Sequence, residues 1–150
     1  MKSARLCTSW GTASNFCLQE FANKNGVAAI AQVTVDSLQR TRDMLGATRQ
    51  DEARIIITGG CRTQTDNERL AKKFGWTEDG GKVSRNSQHL ISMGANGVDF
   101  FAIDTMGEKI PTSYVAAVAR RYFSFVKTYK DGHIHADCRV PNDRSRQDTP

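Results

Sequence analysis

The chain has 150 residues, enough to bury one hydrophobic core without staples, and its 39% hydrophobic and 25% charged residues are ordinary for a globular domain. No apolar run approaches the ~18 residues of a membrane span, which excludes an integral membrane protein built on helices. The net charge of +5 is scattered, clusters only at Arg139, Arg144 and Arg146, and is not interleaved with aromatics, so it reads as mild steering toward an acidic surface and not as a nucleic-acid footprint.

At the N-terminus, polar residues from Thr8 to Asn15 interrupt any stretch that would serve as a secretory signal, so synthesis without export is expected. Cys7, Cys17, Cys61 and Cys138 contain no C-x-x-C pair, and without a signal four reduced thiols are expected. Ser14 to Phe21 predicts a capped helix ended by Gly26, and Thr34 to Leu45 an amphipathic helix stopping at Gly46. Ala53 to Thr58 is a short β-branched run bounded by Gly59-Gly60, a buried strand. The polar stretch from Thr63 to Asn86 leaves room for a short helix over Leu70 to Phe74 and is broken at Gly80-Gly81. A second strand is expected over Val98 to Asp104. A helix opened by Pro111 follows, with a stripe running from Tyr114 to Val126, then a third strand over His133 to Cys138. Residues 140–150 read as a flexible tail. With no repeat and no linker, residues 1–150 form one α+β domain, a small antiparallel sheet flanked by helices.

The chemistry concentrates in the histidines. All three fall in two patches, Ser87-Gln88-His89, with Asp99 ten residues beyond the histidine, and Asp131-Gly132-His133-Ile134-His135-Ala136-Asp137. Catalytic zinc takes three nitrogen or carboxylate ligands and keeps a fourth position for water. His89, Asp99 and one histidine of the second patch supply that set. Strand alternation puts His133 and His135 on one side of their strand, with Ile134 and Ala136 packing behind. Taken alone, a His-x-His pair is more often two satisfied histidines. Arg62 also reads as a turn arginine pairing with Asp66, and Ser87 as a turn cap. A Ser87-His89-Asp99 serine triad is disfavoured, because nucleophile and base two residues apart rarely converge. The Gly-Gly pairs lack the context of phosphate loops.

In chain order, Asn15-Phe16-x-x-x-Glu20-Phe21, Ile55-Ile56-Ile57-Thr58-Gly59-Gly60-Cys61-Arg62-Thr63, Ser87-Gln88-His89 with Gly97-Val98-Asp99, and Gly132-His133-Ile134-His135 resemble the small zinc D-Ala-D-Ala carboxypeptidases and L-Ala-D-Glu endopeptidases, whose fold is shared with hedgehog-type domains. The resemblance spans about residues 15 to 139. It departs in one place: His89 to Asp99 is ten residues where the family has seven, as if Ile91 to Asn96 held three extra residues, which a loop absorbs at small entropic cost.

The resemblance implies Zn2+ on His89, Asp99 and His135, with His133 standing over the open coordination position. For the general base it ranks His133 first, then Asp131 and Asp137. It gives Arg62 and Ser87 to substrate. The implied activity is hydrolysis of the peptide stem or cross-links of bacterial peptidoglycan, either endopeptidase or carboxypeptidase, by a phage- or virus-encoded lysis or infection enzyme. That enzyme would be made in the cytoplasm, reach the wall by release or delivery, and work as a monomer with no nucleic-acid or membrane partner. The alternative is an inactive wall-binding module with a structural zinc.

Overall fold

A computed structural model describes residues 15–140. In chain order it holds a 3-10 turn at Leu18–Phe21, helix α1 (Gln32–Arg49), strand β1 (Arg54–Gly59), helix α2 (Gln64–Phe74), turns at Thr77–Asp79 and Ile91–Met93, strand β2 (Val98–Ile103), helix α3 (Thr112–Ala119), and strands β3 (Phe125–Thr128) and β4 (Ile134–Asp137). The four strands make one antiparallel sheet in the order β1-β2-β4-β3. The chain is α+β, as its sequence predicts. No described helix is long and apolar enough to cross a membrane.

Register divides the sheet into two unlike faces. Ile57, Phe100, Ile134 and Thr128 lie in one cross-strand row, and Val98, Ala136 and Val126 in the next. This face buries Ile55, Val98, Phe100, Ile134 and Ala136 against Val35, Leu38 and Leu45 of α1 and Val115, Ala116 and Ala119 of α3. Each large side chain fully buried there contributes roughly 1.5–3 kcal/mol, so the helical face carries most of the fold's stability. Successive residues point the other way, and the opposite face receives Asp99, His135 and Lys127, in register across β2, β4 and β3.

Several element boundaries differ from the sequence-based expectation. The predicted helix near the N-terminus is only the turn Leu18–Phe21, with Ser14 outside the described residues. Helix α1 runs past Gly46 to Arg49 and ends on Gln50 in the left-handed region. A glycine inside a helix costs only about 1 kcal/mol, and burial of Leu45 holds that turn in place. Helix α2 starts six residues earlier than expected. Thr63 caps it by accepting from Asp66 N–H (3.2 Å) while the Asp66 carboxylate accepts from Thr63 N–H (2.9 Å).

The stripe assigned to one long helix after Pro111 is shared by three elements. α3 stops at Ala119, Tyr122 and Phe123 lie in a turn, and Val126 belongs to the unanticipated strand β3. All of them reach the same core, which is why helical spacing mimicked a continuous helix. Cys17 is disulfide-bonded, against the expectation of four reduced thiols, whereas Cys61 and Cys138 are free. The tail predicted to be flexible lies, beyond residue 140, outside the described residues.

Candidate metal centre

Asp99 of β2 and His135 of β4 are direct antiparallel partners, so their side chains project side by side from the open face. The third group arrives on a loop. Arg62, just beyond β1, donates its N–H to the His89 carbonyl (2.8 Å) and accepts from Ile91 N–H (2.9 Å), which lays the His89 segment along the end of β1. The result is a cluster of His89 Nε2, His135 Nδ1 and Asp99 Oδ1, separated by 3.2 Å, 3.0 Å and 3.2 Å.

Their outer partners fix which atom each ring presents. His89 Nδ1 donates to the Gly60 carbonyl (2.8 Å), leaving Nε2 as a lone pair. His135 Nε2 donates to Asp137 Oδ2 (2.8 Å), leaving Nδ1 as a lone pair. Asp137 is gripped in turn by Arg139, whose Nε and terminal nitrogen donate at 2.8 and 2.7 Å. With both rings neutral, two imidazoles and a carboxylate aim three acceptors at one point. A proton on His135 Nδ1, shared between Asp99 Oδ1 and His89 Nε2, relieves two of these contacts; a cation relieves all three. Tetrahedral ligands at ~2.0–2.1 Å from a first-row metal stand roughly 3.3 Å apart, close to the separations found here. The donor set and its spacing fit a divalent metal.

The electrostatics hold His89 neutral and Asp99 ionised, whereas His135 is drawn toward its protonated form when no cation is bound. Burial pushes the His89 imidazolium down, keeping that ring neutral. Burial works against the charge of Asp99, but the two histidines outweigh it and hold the carboxyl well below the usual range. Asp137 is likewise opposed by burial, yet Arg139 and His135 bring it down to about 2. Burial lowers His135, while its bonds to Asp137 and Asp99 more than reverse the effect and raise it.

Two glycines make the geometry reachable. At a bulge in β1, Gly59 faces Asp99, and a Cβ there would sit 2.9 Å from the carboxylate. Gly60 lies against Phe21, whose carbonyl would be 2.2 Å from an added Cβ and accepts from Cys61 N–H (2.9 Å).

The cluster opens into a cavity of about 400 Å3 lined by His89, Asp99, Gly60, Arg62, Glu20 and Asp66, among others. Arg62 lines that cavity and donates to Ser87 Oγ (3.2 Å) and Asn67 Oδ1 (3.3 Å), not to Asp66. The Asp66 carboxylate goes to Thr63, Asn23 and Arg69. Ser87 is fully buried, accepting from Arg62 and from His89 N–H (3.2 Å). That burial corrects its expected contact with substrate: it braces both neighbours instead. Gln88, expected to point away, is also fully buried, and its amide has no partner among the described residues.

Asp137 is corrected too. It is fully buried behind His135, which makes it an orienting acceptor and removes it as a general base. His133 shares the sheet face with His135, yet it lines a second cavity of about 670 Å3 together with Tyr129, Asp131, Lys127, Lys82 and Phe74. It is not among the residues that line the first cavity. Its N–H and Nδ1 both meet Asp131 Oδ1 (3.0 and 2.5 Å), and its ring stacks on Tyr129 at 4.4 Å and 5°. Asp131, with its carboxylate committed to His133, is an orienting group as well.

The sequence reading missed Gly60 as an acceptor, Arg139 as the anchor of Asp137, and Tyr129 as the plate beneath His133. Only Arg139 carried a signal, standing two residues beyond Asp137 at the end of the same strand. Comparison of the chain with family models, with curated proteins and with solved structures finds no match.

Proposed function

We propose that the chain is a zinc-dependent peptidase of the D-Ala-D-Ala carboxypeptidase and L-Ala-D-Glu endopeptidase type, with the hedgehog-type fold of that family, acting on peptidoglycan peptides. The observation that carries the metal reading is the convergence of His89 Nε2, His135 Nδ1 and Asp99 Oδ1 with both tautomers already set by Gly60 and Asp137. The substrate class rests on the four ordered sequence motifs. When bound, zinc supplies Lewis acidity to water and to a carbonyl oxygen.

The protein's own groups then have distinct work. Arg62, in the cavity with His89 and Asp99, holds the carbonyl or carboxylate of the peptide. His133 donates Nδ1–H to Asp131, leaving Nε2 free to move a proton. Water oxygen adds to the peptide carbonyl carbon, and one of its protons passes to His133. That proton returns to the departing nitrogen as the C–N bond breaks.

One observation favours the second reading, an inactive wall-binding module with a structural metal: His133 and the three ligands do not share a cavity. A single preparation separates the two. Elemental analysis of the purified protein is expected to give one zinc per chain, lost in both His89→Ala and His135→Ala. Zinc-loaded protein is expected to release muropeptide fragments, resolved by mass, that a chelator abolishes. Full zinc occupancy in both variants overturns the metal centre. Zinc without cleavage leaves the binding module.

A further inference from the structure

We infer that the second cavity is a subsite for a free carboxylate on the peptide substrate, read by Lys82 and Lys127. The inference rests on the peptidase reading for the nature of the occupant. Lys127 comes from β3 and is the register partner of His135, so this cavity begins beside the metal centre. Lys82 comes from the loop after α2, and its backbone is fixed. Its N–H lies 3.2 and 3.0 Å from the carbonyls of Phe74 and Gly75. Gly81 packs so tightly on Gly75 that an added Cβ would meet the Gly75 carbonyl carbon at 2.2 Å. The Gly80-Gly81 pair, which serves no phosphate loop, thus holds one lysine at the rim.

The charge balance selects the occupant. Two lysines line the cavity, Lys127 with its Nζ over the Tyr129 ring at 5.3 Å, while the one carboxylate among its described lining residues, Asp131, is paired with His133. Phe74 and Tyr129 supply apolar wall, suited to the aliphatic part of a side chain that ends in a carboxylate. A neutral amide in that place would gain no ion pair from either lysine.

The test uses one synthetic peptide bearing a side-chain carboxylate near the scissile bond, and the same peptide with that group amidated. Zinc-loaded wild type is expected to prefer the carboxylate form about tenfold in kcat/KM, through KM, as one charge-assisted contact would give. In Lys82→Gln/Lys127→Gln the preference falls to near one, and Lys82→Arg/Lys127→Arg restores it. Wild type without a preference, or a glutamine variant that keeps one, overturns the subsite. Calorimetry with the same two peptides gives a second readout that needs no turnover. If wild type cleaves neither peptide the peptidase reading fails, and calorimetry still decides: lysine-dependent binding of the carboxylate form supports the subsite, and equal binding of both forms removes it.

Discussion

Each imidazole in the cluster presents one nitrogen to its neighbours because an outer partner holds the other. Asp137 is the clearer case, since it sets the His135 tautomer and is itself held by Arg139. Removing such an outer partner typically costs 10–100-fold in metal affinity. Asp137→Ala is therefore expected to weaken zinc binding by that factor in a competition titration, with His89 and Asp99 unchanged. Unaltered affinity would show that His135 is oriented by packing alone. In chelated protein the same carboxylate has a pH signature. Its folded value lies below its unfolded one, so its stabilisation is present above the ordinary carboxylate range and is lost as pH falls through about 2. The ligand types were legible in the sequence because few side chains bind zinc and the chain has three histidines. The Gly60 acceptor was not, because a backbone carbonyl has no residue signature. The separation of His133 from the ligands was not either: alternation gives the face of a sheet but not the loops that divide it into cavities.

Among the elements, the short segment from Gly59 to Thr63 joins the most parts of the site. It faces Asp99, accepts from His89, carries Arg62 and caps α2. Gly60→Ala forces a Cβ into the Phe21 backbone, an overpacking that costs about 1–3 kcal/mol. It is expected to lower zinc affinity as well, because the His89 acceptor must move. Gly107→Ala is the matched control. Gly107 has positive φ with open space around it, so its loss is the left-handed strain alone, roughly 1–2 kcal/mol, with zinc affinity intact. Thermal melts and metal titrations of both variants check this, and equal affinities would detach the glycine from the site. The sequence announced β1 and its glycine stop plainly, since a β-branched run and a Gly pair are local signals. It announced α2 poorly. Gln64 to Arg69 is polar on every side, and the Thr63–Asp66 cap was the cue to read. In the loop from Ile91 to Asn96, the Ala95 and Asn96 carbonyls accept from Ala31 N–H (3.0 Å) and Thr34 Oγ1 (2.8 Å) of the α1 start. This loop packs on α1, and neither cavity includes its residues.

Across the whole molecule, stability and chemistry are laid on opposite faces of one sheet. The helical face is a continuous apolar core that needs no metal. The other face depends on a loop segment whose ties to the sheet are the Arg62 bridge, the His89–Gly60 bond and the ligand cluster itself. A metal that binds only the folded chain stabilises it by about 4 kcal/mol at a thousand times its dissociation constant. For a chain of this size that is roughly 8–16 °C in Tm. Chelation is expected to lower Tm by that amount and to act unevenly in hydrogen exchange. Amides of Arg62 and Ile91, which tie the His89 segment to the end of β1, should lose protection first. Those of Leu38 in α1 and Val115 in α3 should keep theirs, because local opening on the site face leaves the apolar core intact. Equal loss on both faces would mean that the metal holds the whole fold together, and an unchanged Tm would mean that the three acceptors bind no metal at all.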